Sequence, residues 1–173
     1  MAQTHPTPSL RPGSASHQLG DLAATRAFAE KLVAVAGVGD VIALEGPIGA
    51  GKTTFARFFI KGIGYQEDVP SPTFNLVQTY EGERLSVWHF DLYRLARPED
   101  VYELGIEQAL DEGVTLIEWP EQLGGLLPIE ALSLTFRQGA EDTARIVDVD
   151  RNPFWADRLD RAGLSDYSKA QKP

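Results

Sequence analysis

The spacing of apolar residues changes along the chain, and these changes predict a succession of helices and strands. After Asp21, a good N-cap residue, apolar side chains recur at helical spacing and stop before a pair of glycines, which predicts a first helix. Residues 41–45 (VIALE) form a short apolar run between two glycines and predict a buried strand. A second helix is predicted from Lys52 to Gly62 or Gly64.

The second half of the chain predicts strands on either side of one helix. Pro98 opens that helix, which reaches about Leu110, with Gly105 as a candidate interruption. A hairpin is predicted from the strand patterns at residues 74–80 and 85–91. One buried strand is predicted at residues 114–119, and a final strand pair at residues 131–137 and 143–149. Helices alternate with strands early and hairpins follow later, which predicts an α/β sandwich with a mixed sheet.

The length of 173 residues fits one domain. We expect that domain at residues 19–150. Residues 1–18 are rich in Pro, Ser, Thr and His and predict a disordered lead-in, with a short strand at residues 15–19. Residues 151–173 predict a polar C-terminal tail that is helical at most.

Composition and charge narrow the functions open to this fold. The chain has no cysteine, which excludes disulfides, zinc–thiolate sites and a cysteine nucleophile. No window approaches the roughly 18 apolar residues of a membrane span, and the N-terminus lacks the pattern of a signal peptide, so we expect a cytoplasmic protein without a membrane partner. The net charge is −9, and residues 19–150 hold 22 of the 25 acidic residues. We therefore expect any nucleic acid to be held by a partner.

The turn between the buried strand and the second helix carries the strongest chemical signal. The Walker A pattern G-x-x-x-x-G-K-[ST] is matched by Gly46, Pro47, Ile48, Gly49, Ala50, Gly51, Lys52 and Thr53. Glycines let such a loop curl so that its backbone N–H groups face phosphate oxygens, and the following helix directs its N-terminal N–H groups at the same anion. The pattern therefore predicts a phosphate cradle for ATP in a three-layer α/β/α fold of P-loop NTPase type, with a mixed, mostly parallel sheet extended by antiparallel strands. A glycine-rich turn without a ligand is the alternative.

Within this cradle three side chains have expected roles. Lys52 reaches the β- and γ-phosphates, the Thr53 hydroxyl binds Mg²⁺, and Thr54 donates to the α-phosphate. A P-loop also needs a carboxylate that helps to hold Mg²⁺. Asp91 and Glu118, each at the end of a predicted strand, are the candidates. The alternatives are that Asp91 caps the next turn and that Glu118 is a surface residue at a fraying strand end.

Other polar residues carry weaker signals. Thr73, in the loop Ser71-Pro72-Thr73, is a candidate sensor of the γ-phosphate, although Pro-Thr loops are common. His17 and His89 have no acid or serine partner at a suggestive spacing, so we interpret both as structural or solvated.

Taken together, these motifs resemble the TsaE family (also called YjeE), the ATPase subunit of the bacterial machinery that makes N6-threonylcarbamoyladenosine at position 37 of tRNAs. The resemblance covers roughly residues 19–150. It rests on five segments in the order and spacing of the family: GPIGAGKTTFAR (46–57), VPSPTFNLVQTY (69–80), WHFDLYRL (88–95), ELGIEQAL (103–110) and LIEWPEQ (116–122). The loop departs from many relatives by reading GPIGAGK in place of GDLGAGK, and Pro47 removes one backbone donor.

The resemblance implies roles for named residues. Lys52, Thr53 and Thr54 match the P-loop positions, and Thr73 matches a switch-like threonine. Asp91 and Glu118 match two acids linked to Mg²⁺ and hydrolysis, and Trp119 matches a tryptophan near the site. The family's adenine pocket lies partly near the start of the first helix, which makes Asp21 an expected adenine neighbour.

The resemblance also implies partners. A TsaE protein docks on the TsaB–TsaD pair, which stimulates its weak ATPase, and hydrolysis resets the complex between turnovers on TsaD. Contact with tRNA would be indirect, through that complex. Two other functions stay open from the residues alone: a small-molecule P-loop kinase, which usually carries an arginine-rich lid, and a module that binds nucleotide without hydrolysing it.

Overall fold

The computed structural model of the chain describes residues 13–166, which form one seven-stranded sheet with helices on both faces. The strands are β1 Ala15–Leu19, β2 Val41–Glu45, β3 Val77–Glu81, β4 Ser86–Asp91, β5 Val114–Glu118, β6 Leu132–Gln138 and β7 Arg145–Val149. The α-helices are α1 Leu22–Val35, α2 Lys52–Gly62, α3 Ile106–Glu112 and α4 Ala156–Ala162, and two 3₁₀-helices span Pro98–Tyr102 and Pro120–Leu126.

The sheet is parallel at its centre and antiparallel at both margins. Its strand order is β1-β7-β6-β2-β5-β4-β3. The pairs β6–β2, β2–β5 and β5–β4 are parallel, whereas β1–β7, β7–β6 and β4–β3 are antiparallel. The prediction of a mixed α/β sheet with a parallel core and antiparallel extensions is therefore confirmed.

The central strands are apolar on both faces because both faces are covered. In β5, all five residues are buried; Leu116 packs into the core beneath α1, α2 and α4, and Ile117 packs into the core beneath α3 and the two 3₁₀-helices. A continuous apolar run is the sequence pattern of such a two-sided strand. The predicted three-layer α/β/α arrangement follows from these two cores.

Two local predictions can be compared with the backbone. The helix expected from Pro98 is interrupted at Gly105, which has φ of +84° and separates a 3₁₀-helix from α3. The strand expected from residue 74 begins only at Val77, because Leu76 has φ of +62° and breaks the extended backbone. Phe74 lies before that break with 84% of its surface exposed, so its inclusion in a strand was wrong.

The domain extends beyond residues 19–150 on both sides. The short strand expected at residues 15–19 is present as β1 and pairs with β7, so it is part of the sheet rather than of a lead-in. Beyond residue 150, Trp155, Leu159 and Leu164 are buried in the core, so the described part of the tail is not simply polar. The rest of the predicted lead-in and tail, residues 1–12 and 167–173, lies outside the described residues. None of the described helices has the length and apolar content needed to cross a bilayer.

The packing of Trp155 generates a stability prediction. Its ring is 1% exposed, its Nε1–H donates to the Glu130 carbonyl at 2.9 Å, and the Arg158 guanidinium lies 3.8 Å from the ring centroid. Trp155→Ala should lower the free energy of unfolding by about 3–5 kcal/mol, because it removes this buried volume. Phe154→Ala, at a neighbouring side chain that is 56% exposed, should change it by about 0.5 kcal/mol or less. Urea denaturation followed by circular dichroism measures both, and equal losses would contradict the packing of Trp155.

Candidate active site

The candidate site lies where the three parallel strands β2, β5 and β4 end. Because parallel strands direct their carboxyl ends to the same edge of a sheet, residues that are distant in sequence meet there. Asp91 and Glu118 are register partners at the ends of β4 and β5, and the glycine-rich loop follows directly from β2. The topology therefore brings the two predicted acids beside the loop.

The conformation of the loop depends on glycine. Gly46, Gly49 and Gly51 have φ of +133°, +77° and +109°. A Cβ atom on Gly46 would lie 2.5 Å from the Phe136 carbonyl oxygen on β6. Gly51 is the N-cap residue of α2 and has no side chain to cap the first helical turn. The backbone conformations of Gly46 and Gly51 therefore explain why the motif has glycine at these two positions.

Lys52 is buried beneath the loop. Its Nζ donates to the carbonyls of Gly46 and Pro47, the latter at 2.9 Å, and lies 3.8 Å from the centroid of the Trp119 ring. Burial lowers the pKa of Lys52, and the carboxylates of Glu118, Glu121 and Asp91 oppose that shift. The ammonium group is therefore held against the loop and close to both acids.

Glu118 connects α2 with two neighbouring strands. Its side chain is almost fully buried; Oε2 accepts a hydrogen bond from Thr53 Oγ1 at 2.9 Å, and Oε1 contacts His89 Nε2 at 2.8 Å. The alternative of a surface glutamate at a fraying strand end is thus excluded. Of the two interpretations of His89, structural or solvated, the structural one is confirmed because the residue is fully buried, but it has an acidic partner that its sequence spacing did not indicate. His17 contacts the Leu164 carbonyl through Nε2 at 3.2 Å.

Asp91 caps the turn that follows β4 and also contacts the loop that carries Thr73. Its Oδ1 accepts from the Tyr93 backbone N–H at 3.2 Å, which caps the turn after β4, and its Oδ2 accepts from Thr73 Oγ1 at 3.3 Å. Thr73 Oγ1 also lies 2.7 Å from Ser71 Oγ. The structure therefore brings Thr73 to the same carboxylate.

These side chains line a cavity of about 360 Å³ at the mouth of the loop. Its walls include residues 48–54, Thr73, Asp91, Glu118 and Trp119, together with two arginines, Arg94 and Arg145. Arg145 lies on β7, and its side chain packs within 3.5 Å of the Cβ position of Gly51. No sequence pattern identifies it, because the contact depends on where β7 lies in the sheet.

A second cavity of about 150 Å³ adjoins the first one, and the two share Gly51, Thr54 and Arg145. Leu22 and Thr25 from α1 also line it. Asp21 does not: its Oδ1 accepts from the Ala24 N–H at 2.8 Å and caps α1 beside the cavity.

The oxygen donors at the first cavity fit a magnesium ion. Within residues 13–166 no cluster of three or more His, Cys, Asp or Glu side chains forms an all-protein metal cage. Mg²⁺ is commonly bound by one or two carboxylates together with waters and substrate phosphates. The Thr53 hydroxyl and the carboxylates of Asp91 and Glu118 are a donor set of that kind. Lys52, with its ammonium group held on the loop carbonyls, lies beside this set rather than within it.

The parallel core, the glycine-rich loop after β2 and the helix that follows it define an α/β protein of the P-loop NTPase type. The comparison with protein families specifies which one. The family model described as "Threonylcarbamoyl adenosine biosynthesis protein TsaE" matches residues 19–147, so the chain belongs to the TsaE family.

Similar proteins agree with this assignment. A "tRNA threonylcarbamoyladenosine biosynthesis protein TsaE" of Rickettsia bellii is 40% identical over 126 residues, covering 72% of this chain and 87% of that protein. The protein of the same name from Rickettsia prowazekii is 35% identical, covering 83% and 99%. A crystal structure of Bacillus subtilis YdiB superposes with a TM-score of 0.71 at 28% identity, covering 92% of this chain and 99% of that one.

The close approach at Gly46 generates a prediction about the loop. Gly46→Ala and Gly49→Ala both place a side chain on a backbone with positive φ, which costs about 1–3 kcal/mol. Only at Gly46 does the new Cβ also meet a backbone oxygen, whereas nothing lies within 4 Å at Gly49. Thermal unfolding should therefore show a larger fall in Tm for Gly46→Ala. A fall in Tm of the same size in both variants would mean that the positive φ accounts for the lost stability and that the contact with the Phe136 oxygen adds nothing.

Proposed function

We propose that this protein is a magnesium-dependent ATPase that acts as the accessory subunit of a tRNA threonylcarbamoyladenosine modification complex in the cytoplasm. The observation that carries the proposal is the convergence of Thr53, Asp91 and Glu118 at the mouth of a glycine-rich loop. A loop of that kind binds phosphate, and carboxylates beside it are what Mg²⁺-dependent hydrolysis requires. Membership of the TsaE family supports the pathway.

In this proposal each part of the loop has a task. Backbone N–H groups of residues 46–54 hold the phosphate tail of ATP. The Lys52 ammonium exchanges loop carbonyls for phosphate oxygens, and Thr54 donates to the α-phosphate. Mg²⁺ held by Thr53, Asp91 and Glu118 would neutralise charge that develops on the terminal phosphates. Thr73 couples its loop to that site through Asp91.

In this proposal the adenosine part of ATP occupies the second cavity. That cavity opens from the first one beside Thr54 and is walled by Leu22 and Thr25 of α1. Arg145 lies between the two cavities and would place a cation near the α-phosphate or over the base. Asp21 would act on adenine only indirectly, by fixing the start of α1.

Exposed apolar side chains beside the first cavity support a partner-dependent activity. Ile48 is 71% exposed and Phe74 is 84% exposed. Arg94, which lines the cavity, lies 5.2 Å from the centroid of the Phe74 ring. Exposed apolar groups in this position favour the docking of another protein next to the nucleotide cavity. In this proposal the partners are TsaB and TsaD, tRNA is contacted only through them, and hydrolysis resets the TsaB–TsaD transferase between turnovers.

Hydrolysis is tested by replacing each of the two acids with its amide, which keeps the shape of the side chain and removes its negative charge. Asp91→Asn and Glu118→Gln should each lower the rate of inorganic phosphate release from Mg·ATP by about 100-fold, because each removes a charge that acts on the transferred phosphate. Glu107→Gln, which changes an exposed carboxylate on α3, is the matched control and should retain the wild-type rate. Wild-type release rates in the acid variants would favour a binding module without hydrolysis. Transfer of labelled phosphate to a metabolite would favour a kinase.

Docking is tested at Phe74. Phe74→Ser should retain the basal ATPase rate and lose most of the stimulation by TsaB and TsaD. It removes the exposed ring beside the cavity without altering the glycine-rich loop at residues 46–54. Ile129→Ser changes a side chain that is 79% exposed and does not line the nucleotide cavity, so stimulation should persist. Stimulation that is equal in both variants would place the partner elsewhere.

A further inference from the structure

His89 is a buried polar residue that has no role in the phosphate-binding or metal-binding arrangement proposed above. It lies on β4 two residues before Asp91, so strand alternation directs both side chains to the same face of the sheet. That face is the one covered by α2, since Val87, on the same side of β4, belongs to the core beneath α2. His89 is fully buried there, one pleat deeper than Asp91.

The contact between His89 and Glu118 has a defined direction. A carboxylate offers only acceptor oxygens, so the proton between His89 Nε2 and Glu118 Oε1, 2.8 Å apart, belongs to Nε2. The other oxygen of the same carboxylate accepts from Thr53 at 2.9 Å. Each oxygen of Glu118 is therefore held by one donor, and Oε2 is the one on the side of the cavity-lining Thr53.

The second nitrogen of the ring shows that His89 is not simply filling space. Among the described residues, its Nδ1 is buried without a hydrogen-bond partner. An unpaired polar atom in the core costs free energy, and an apolar side chain of similar size would avoid that cost. What an apolar side chain lacks is the Nε2–H group that faces Glu118.

We infer that His89 is a positioning residue for the metal site: by donating to Oε1, it fixes the Glu118 carboxylate so that Oε2 is presented beside Thr53. This inference rests on the proposed magnesium site. Residues that orient a metal ligand through a hydrogen bond typically change metal affinity by 10–100-fold when they are replaced. His89 is thus expected to determine how tightly the divalent ion is held, rather than whether nucleotide binds.

Three substitutions separate the hydrogen bond from the volume of the ring. Gln places an amide donor near the position of Nε2, Asn places one near Nδ1, and Leu supplies none. His89→Leu and His89→Asn should each raise the dissociation constant of Mn²⁺ in the complex with the ATP analogue AMP-PNP about tenfold or more. His89→Gln should stay within about threefold of the wild type, because it retains the donor to Glu118. Electron paramagnetic resonance of Mn²⁺ measures these constants without requiring turnover.

The matched control is Thr115→Val. Thr115 Oγ1 is the other buried side-chain atom without a partner among the described residues, and it lies on β5 three residues before Glu118. Alternation places it on the opposite face of the sheet from Glu118. Its replacement should leave the Mn²⁺ constant unchanged.

Metal-free binding of AMP-PNP, measured by isothermal titration calorimetry, separates positioning from general damage to the fold. We expect it to be unchanged in all four variants, and a loss there that matches the loss of Mn²⁺ affinity would overturn the inference. An unchanged Mn²⁺ constant in His89→Asn, or equal losses in His89→Asn and His89→Gln, would also overturn it. If instead the wild-type protein binds no Mn²⁺ with the nucleotide, the proposed function itself fails.

Discussion

A carboxylate buried inside a sheet needs hydrogen-bond donors around it, because burial of an unpaired charge is costly. In the candidate site of this protein that carboxylate belongs to Glu118. One donor is Thr53, in the first turn of α2, and the other is His89, on the adjacent strand β4. The two bonds connect the glycine-rich loop, the helix that follows it and two central strands. A group that would destabilise an ordinary core therefore fixes the relative positions of the parts that would hold a nucleotide.

The parallel order of the central strands makes this arrangement possible. Asp91 and Glu118 are 27 positions apart in the chain but directly opposed in the register of β4 and β5. The loop enters from β2, the neighbour of β5 on its other side. Three segments thus reach one edge of the sheet without any long excursion, and Thr73 approaches the same edge from the loop before β3. In this arrangement the function of each residue depends on the strand order more than on its local sequence.

Local patterns were sufficient to predict much of this structure. The glycine-rich loop, the capped start of α1 at Asp21 and the two-sided apolar strand β5 follow from short-range rules, and the structure contains all three. Contacts between distant residues were not predictable in the same way. The partner of His89 lies 29 positions away and that of Thr53 lies 65 positions away, so neither pair has a recognisable spacing. Phe74 was misplaced because its apolar character fits a strand, whereas the positive φ of Leu76 prevents β3 from beginning before Val77.

The pairing of β1 with β7 has a consequence for the synthesis of the protein. β1 forms its ladder with residues 145–149, and the hydrogen bond between Ser16 and Asp148 spans 132 positions. Contacts of such long sequence separation form slowly, because the loop that they close contains strands β2 to β6 and helices α1 to α3. β1 must therefore remain unpaired until β7 has been synthesised. During that interval β1 is an open edge that a nascent-chain chaperone would have reason to cover.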